Sequence, residues 1–261
     1  MLQVVIPMTG KGSRFKAAGY EHLKPFIEVE GRPMIDYVVS MFPKDSAKFI
    51  FVCRRSSMTT DELNTLDNIV KSCSSASVVF INEENWEKEG PVKDSLKASS
   101  VIDDDMPTII NYCDFFCLWD CESFLKEAEA RDADGAVPCY TGFHPHLIPK
   151  KNLYASCNID NDGNLIEIRE KFSFEKDKTK VHHSPGIYYF KTGKMMKEYC
   201  QKLVDSGNKL KGEYYASLVY NEMVKDNKKV WVPDNVPYFC QWGTPEDLEE
   251  FKMWIAIVKG L

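Results

Sequence analysis

The chain has 261 residues, of which 28% are charged and 44% hydrophobic, and a formal net charge of −6. That length is enough to bury a full core, and the composition is that of an ordinary globular chain, so one domain is expected. The acidic balance excludes a surface built to coat nucleic acid, and no apolar run approaches the roughly twenty residues of a membrane span. The apolar start, Leu2 to Met8, is too short for a signal peptide, which points to a cytoplasmic protein. Nine cysteines with no C-x-x-C pair favour reduced thiols over a disulfide framework. Cys113, Cys117 and Cys121 are evenly spaced but lack companion ligands at zinc spacing, and they read as small buried apolar residues. His144 and His146, like His182 and His183, read as residues of polar loops.

The first predicted element is the strand Val4 to Pro7, which runs into Thr9-Gly10-Lys11-Gly12-Ser13-Arg14. A helix starts near Arg32-Pro33 with Ile35, Val38, Val39 and Phe42 on one face. Lys48 to Cys53 reads as a buried strand, and Thr59-x-x-Glu62 as the capping box of a helix to about Cys73. Ala76 to Ile81 is a third strand. Gly90-Pro91 opens a helix carrying Leu96 and Val101, and the strand Thr108 to Tyr112 ends beside Asp114. A helix over about Glu122 to Arg131 precedes the strand Gly135 to Tyr140. Strands alternating with amphipathic helices imply an α/β fold, a mainly parallel Rossmann-like sheet with helices on both faces.

After about residue 141 the rhythm changes. Tyr154 to Ile159 and Leu165 to Glu170 form a predicted hairpin around Asp160-Asn161-Asp162-Gly163-Asn164. A charged loop to His183, a strand Gly186 to Phe190 and helices Thr192 to Ser206, Glu213 to Asp226 and Pro245 to Val258 follow. No linker divides the chain. The expected organisation is one domain in two halves, residues 1–140 and residues 141–261, the second adding a hairpin lid.

The opening loop carries the chemistry. Two glycines let backbone N–H groups close on an anion, and Arg14 and Lys24 add fixed positive charge. The first thirty-two residues hold Lys11, Arg14, Lys16, Lys24 and Arg32 against only Glu21, Glu28 and Glu30, which suggests a small anionic ligand. A dinucleotide fingerprint fails because its third glycine position is Phe15, and a Walker loop fails on spacing. In adjacent-strand sheets of this kind, ligands bind beyond the carboxyl ends of the strands, where Thr9 to Arg14 and Asp114 are expected.

Gly10-Lys11-Gly12-Ser13-Arg14-Phe15, Lys24-Pro25 and Glu30-Gly31-Arg32-Pro33-Met34-Ile35 are joined by Asn111-Tyr112-Cys113-Asp114, Glu170-Lys171 and Pro185-Gly186-Ile187-Tyr188-Tyr189-Phe190. Gly212-Glu213-Tyr214-Tyr215 and Gly243-Thr244-Pro245-Glu246-Asp247-Leu248 complete a series that covers nearly the whole chain. In this order the motifs resemble the nucleotidylyltransferases that activate sugar phosphates and related compounds. The starting motif and Gly-Thr-Pro-Glu-Asp-Leu resemble most the branch encoded among capsule and surface-polysaccharide genes.

The resemblance implies a GT-A-like nucleotidyltransferase fold and transfer of a nucleotidyl unit from a nucleoside triphosphate to a phosphorylated acceptor. It implies that Thr9, Gly10, Lys11, Gly12 and Ser13 cradle the triphosphate, with Gly90 and Pro91 near the nucleobase. Arg14 and Lys24 would act at the reacting phosphates, Asp114 would hold Mg²⁺, and Glu170, Lys171, Gly186 and Glu213 would meet the acceptor. A pyrimidine triphosphate, narrowly CTP, is favoured, while the acceptor stays open between a sugar 1-phosphate and a small non-sugar phosphate.

Two departures stand out. Gln241 occupies the position of a second metal-binding aspartate, which leaves one carboxylate, or Asp234 or Glu213 as a substitute. Phe172 follows Glu170-Lys171 where proline is common. Two other classes compete: a glycosyltransferase holding metal through Asp103-Asp104-Asp105, and a non-catalytic nucleotide-binding regulator. The aspartate run precedes its strand and lies at the wrong end of the sheet, and joint retention of Arg14, Lys24, Asp114 and Lys171 disfavours a silent regulator. The sequence leaves a homo-oligomer open.

Overall fold

Each central strand alternates two apolar sets, so the sheet needs a cover on both faces. The computed structural model describes residues 1–84, 86–148 and 152–260. β1 (Leu2–Pro7) leads through the short helix α1 (Ser13–Ala17) and a small ribbon, β2 (Glu28–Val29) and β3 (Arg32–Pro33), into α2 (Met34–Ser40). β4 (Ala47–Cys53), α3 (Thr60–Lys71), β5 (Ser75–Phe80) and α4 (Pro91–Leu96) follow. Next come β6 (Thr108–Asn111), β7 (Phe115–Leu118), α5 (Cys121–Ala130) and β8 (Gly135–Ala136). The second half holds β9 (Ala155–Ile159), β10 (Leu165–Glu170), β11 (His182–His183), β12 (Ile187–Phe190), α6 (Gly193–Ser206) and α7 (Ala216–Lys225). β13 (Val230–Trp231), β14 (Tyr238–Gln241) and α8 (Pro245–Lys259) close the chain.

Seven strands form the main sheet in the order β13-β8-β12-β6-β1-β4-β5. β1 pairs in parallel with both β4 and β6, and β4 with β5, while β12 runs antiparallel to β6 and β8. Val4 and Ile6 face a core completed by Ile35, Val38 and Val39 of α2, Leu66 of α3 and Phe124 of α5. Val5 faces the opposite core, with Val92 of α4, Met196 and Leu203 of α6, and Val219 and Met223 of α7. The helices thus lie on both faces, as the alternation of strands and helices predicts.

The hairpin forms with β9 and β10 antiparallel, and β11 adds a third strand on the other side of β9. Three predicted elements are shorter than expected. The helix opened by Gly90-Pro91 ends at Leu96, before Val101. There Lys97, Ala98 and Ser99 make three-residue turns, and Ser99 Oγ donates to the Leu96 carbonyl at 2.6 Å. The strand Gly135 to Tyr140 is regular only through Ala136, after which Pro138 supplies no ladder donor and Cys139 and Tyr140 make isolated bridges. The helix expected from Glu213 begins at Ala216, because Tyr214 is held extended by two backbone bonds across Gly90.

Candidate active site

β1 and β6 are neighbours whose following connections diverge, one toward β4 and the other toward β8 on the far side of β12, making the crevice a topological switch point. The loops carrying Thr9 and Asp114 therefore leave adjacent strand ends. Thr9 is buried and its hydroxyl donates to Asp94, while Gly12 adopts a left-handed conformation, φ 62°, just before α1. Phe15 anchors α1 in a satellite core with Ile27, Met34, Trp242 and Leu248, so the loop is fixed at both ends.

Lys24 is placed by a device that the capping box reveals only in part. Glu62 accepts from the Thr59 N–H at 2.8 Å through Oε2, and its Oε1 accepts from the Leu23 N–H at 2.6 Å. One carboxylate thus starts α3 and fixes the residue before Lys24. The Lys24 ammonium reaches Asp114 Oδ2 at 2.5 Å and donates to the Gly243 carbonyl at 2.8 Å. Three distant segments meet there, because the otherwise separate β7 and β14 pair and set Gln241 opposite Phe115, next to Asp114.

Two chambers open on this point. One, about 470 Å³, is lined by Thr9, Gly10, Lys24, Gly90, Pro91 and Glu213, among others. The other, about 390 Å³, lies under the hairpin and is lined by Tyr154, Glu170, Gly186, Phe239, Gln241 and Asp247, among others. Arg14, Tyr112, Asp114, Lys171, Lys211 and Tyr215 line both. Three cations and one carboxylate at a shared boundary suit two anionic ligands brought end to end.

At that boundary the Lys171 backbone is left-handed, φ 55°, and its ammonium donates to the Tyr215 hydroxyl at 2.9 Å. Burial pushes the Glu170 carboxyl up to about 7, opposed by the Ser217 hydroxyl, which donates to it at 2.5 Å, and by the Lys171 charge. Burial likewise raises the pKa of the Tyr154 hydroxyl, and the carboxylates of Asp247 and Asp114 push it further up. The Tyr154 hydroxyl and Gln241 Oε1 are buried without a hydrogen-bond partner. The Gln241 amide oxygen, without a donor and on a residue that lines the same chamber as Asp114, is a fitting second ligand for a hard cation that takes carboxylate and amide oxygens. Among the described residues no group of three or more His, Cys, Asp or Glu side chains gathers as a closed metal cage.

Of the residues expected from sequence, Thr9, Gly10, Arg14, Lys24, Gly90, Pro91, Asp114, Glu170, Lys171, Gly186 and Glu213 line one or both chambers. Lys11, Gly12 and Ser13 line neither. Glu213 pairs with Lys88 at 2.7 Å and lines the chamber of Thr9, not the one under the hairpin. Asp234 lines neither chamber and accepts from the Thr141 hydroxyl at 2.6 Å.

Two of the glycines also have a packing reason. A Cβ on Gly90 would lie 2.7 Å from the Tyr214 nitrogen, and one on Gly186 would lie 3.0 Å from the Phe115 ring. Sequence reasoning missed Lys211, Tyr154 and Asp247. For Lys211 the signal was its place before Gly212-Glu213, where both Lys211 and Gly212 take positive φ, 52° and 82°. Asp103-Asp104-Asp105 sits at the amino end of β6, where the Asp103 carbonyl accepts from Gln3 at 2.7 Å, remote from both chambers.

Solved structures share this architecture. The nucleoside-diphosphate-sugar pyrophosphorylase from Vibrio cholerae RC9 is 18% identical, with a TM-score of 0.75, over 96% of this chain and 99% of that one. A UDP-glucose pyrophosphorylase complexed with UDP-glucose is 15% identical, with a TM-score of 0.73, over 98% of this chain and 99% of that one. HddC from Yersinia pseudotuberculosis is 20% identical, with a TM-score of 0.65, over 98% of this chain and all 100% of that one. At such identities the likeness speaks for the fold alone. No curated protein matches the chain in sequence.

The mixed, mainly parallel sheet with its lid is the α/β nucleotidyltransferase fold. The chain belongs to the family of MobA-like NTP transferase domains, whose profile matches residues 4–172, and it is a nucleotidyltransferase. No helix among the described residues is long and apolar enough to cross a membrane.

Proposed function

We propose that the enzyme transfers a nucleotidyl unit from a pyrimidine triphosphate, narrowly CTP, to the phosphate of a small acceptor, a sugar 1-phosphate or a non-sugar phosphate, and releases pyrophosphate. The observation that carries this reading is the meeting of two chambers at Arg14, Asp114, Lys171 and Lys211. In it the triphosphate occupies the chamber of Thr9, Gly10 and Gly90, and the acceptor the chamber under the hairpin. An acceptor phosphate oxygen attacks the α-phosphorus in line, a P–O bond forms there, and the bond to the bridging oxygen breaks as pyrophosphate leaves. The nucleophile is already an anion, so no general base is required, and catalysis rests on holding two anions together and neutralising charge.

Lys24 is assigned to the α-phosphate, Arg14 to the departing phosphates, and Lys171 and Lys211 to the acceptor phosphate. Lys11, Gly12 and Ser13 are assigned to shaping the loop around the triphosphate. Asp114, with the Gln241 amide oxygen, is the proposed holder of Mg²⁺, which when bound supplies positive charge at the reacting phosphates. Glu170, Gly186, Tyr154 and Asp247 are assigned to the acceptor's other end.

The proposed halves, 1–140 for nucleotide and 141–261 for acceptor, interlock, since Lys211 and Glu213 line the first chamber and Tyr112 and Phe115 the second. The resemblance of the first and last motifs to capsule enzymes supports a cytoplasmic role in making capsule or surface-glycan precursors. Pyrophosphate release from four triphosphates crossed with a panel of acceptor phosphates, with and without Mg²⁺, tests the reading. A single strongly favoured pair that depends on Mg²⁺ is expected, and the absence of release from every pair sinks the proposal.

A further inference from the structure

Asp94 lies on α4 with 6% of its surface exposed, and both of its oxygens meet donors from other loops. The Thr9 hydroxyl donates to Oδ2, and the Trp86 indole N–H donates to Oδ1 at 3.4 Å. Trp86 is itself held: the Arg54 guanidinium lies 4.2 Å from its ring centroid and the Lys11 ammonium 5.7 Å from it. Arg54 in turn pairs with Glu83 at 3.2 Å, and Glu83 accepts from the Ser56 N–H at 2.8 Å. Thr9 and Lys11 follow β1, Arg54 and Ser56 follow β4, and Glu83 and Trp86 follow β5, and these three strands are adjacent. The loops at three neighbouring strand ends therefore converge on one carboxylate.

That carboxylate stands on a fixed base. The Val92 N–H donates to the Tyr214 carbonyl at 3.3 Å, and Tyr214 N–H donates to Glu89 at 2.7 Å, so the start of α4 is clamped to the segment before α7. Asp94 lines the chamber beside Thr9 and Gly90. A buried carboxylate costs free energy unless donors satisfy it, and here the donors come from the wall that must hold its shape.

We propose that Asp94 is a positioning residue for the nucleotide: it fixes Thr9 and Trp86, and through them the loop from Thr9 to Gly12, in the form that receives the triphosphate. This rests on the triphosphate reading of that chamber. It gives a role to two side chains, Asp94 and Trp86, that belong to none of the recognised motifs.

The test has two readouts. Amide hydrogen exchange on the protein alone should show residues 9–14 exchanging about tenfold faster in Asp94→Asn, with the core strands unchanged. In kinetics, Asp94→Asn and Thr9→Val should each raise the KM for the triphosphate about tenfold, leaving kcat and the acceptor KM within about threefold. The double variant should add less than about twofold to either single one, and Thr9→Ser should restore the wild-type KM.

Unchanged exchange in residues 9–14 overturns the inference, as does a parallel fall in kcat and rise in both KM values. If Asp94→Asn does not fold, Thr9→Val carries the same exchange and KM readouts. If the wild-type protein releases no pyrophosphate, the functional reading fails, while exchange and calorimetric binding of CTP to the same variants still decide the role of Asp94.

Discussion

The Lys24 ammonium lies 2.5 Å from Asp114 Oδ2, joining the turn before β2 to the end of β6 across ninety residues of sequence. The two side chains are 16% and 29% exposed, so each keeps a path to a ligand. A pair that holds its charges in place in a chamber wall is a preorganised one, able to exchange partners with an anionic ligand.

Replacing Lys24 by alanine should therefore cost far more in rate than in stability. Pyrophosphate release is expected to fall about 10²- to 10³-fold, with the unfolding free energy within about 1 kcal/mol of wild type. Steady-state kinetics and urea unfolding on the same preparation check both. Retained turnover would remove Lys24 from the mechanism.

Asp114 and Gln241 make a paired prediction about the metal. Asp114→Ala should lower the Mg²⁺-dependent rate about 100-fold, since one carboxylate supplies most of the protein's charge at the proposed site. Gln241→Asp adds a second carboxylate beside the first and should reduce the Mg²⁺ concentration needed for half-maximal rate. A Mg²⁺ titration of pyrophosphate release reads both, and an unaltered titration in Gln241→Asp would separate that residue from the metal.

The Glu170 carboxyl, raised from 4.5 to about 7 by burial, makes stability depend on pH. Its folded form binds a proton more tightly than the unfolded chain, so this contribution is complete below pH 4.5 and is lost as pH rises through about 7. Glu170→Gln, which cannot ionise, should gain in Tm relative to wild type as pH is raised from 5 to 8. Calorimetric scans across that range test the sign, and a difference that shrinks with pH would contradict it. Ser217→Ala should move the loss to higher pH, because that hydroxyl favours the charged form.

Gly90 and Gly10 should respond oppositely to the same change. Gly90 has φ 99°, and a Cβ there would meet the Tyr214 backbone, so Gly90→Ala should destabilise by about 3 kcal/mol or more. Nothing lies within 4 Å of a Cβ on Gly10, so Gly10→Ala should stay within about 0.5 kcal/mol of wild type while raising the KM for the triphosphate. Urea unfolding and kinetics of the two variants separate structural from ligand-facing glycine.

Much of the fold was legible because the apolar pattern states it directly. Val4, Ile6 and Val5 announce a strand buried on both faces, and Thr59 with Glu62 announces a helix start that forms as a capping box. β7 and β14 were not legible. Each is four residues long, and they pair across more than a hundred positions, so neither has a local signal strong enough to mark it. Their pairing is nonetheless what brings Gln241 and Gly243 to Asp114.

The chamber lining was legible where a motif fixes the backbone, as at Gly10, Arg14, Lys24 and Asp114. It was hidden where tertiary packing decides. Lys211 is one lysine among neighbours until the left-handed turn at Lys211 and Gly212 brings it to both chambers. Glu213 was expected beside the acceptor; Tyr214 is drawn onto Glu89 across Gly90, and Glu213 with it lines the chamber of Thr9.

The most direct test of the central claim is single-turnover transfer from α-³²P-labelled CTP in the presence of Mg²⁺ and a panel of acceptor phosphates. The account predicts that label moves to the acceptor in equal amount to the pyrophosphate released, and that Asp114→Ala and Lys24→Ala slow both together by about 100-fold or more. Pyrophosphate released without labelled acceptor, or no release from CTP, UTP or dTTP with any acceptor, would contradict it.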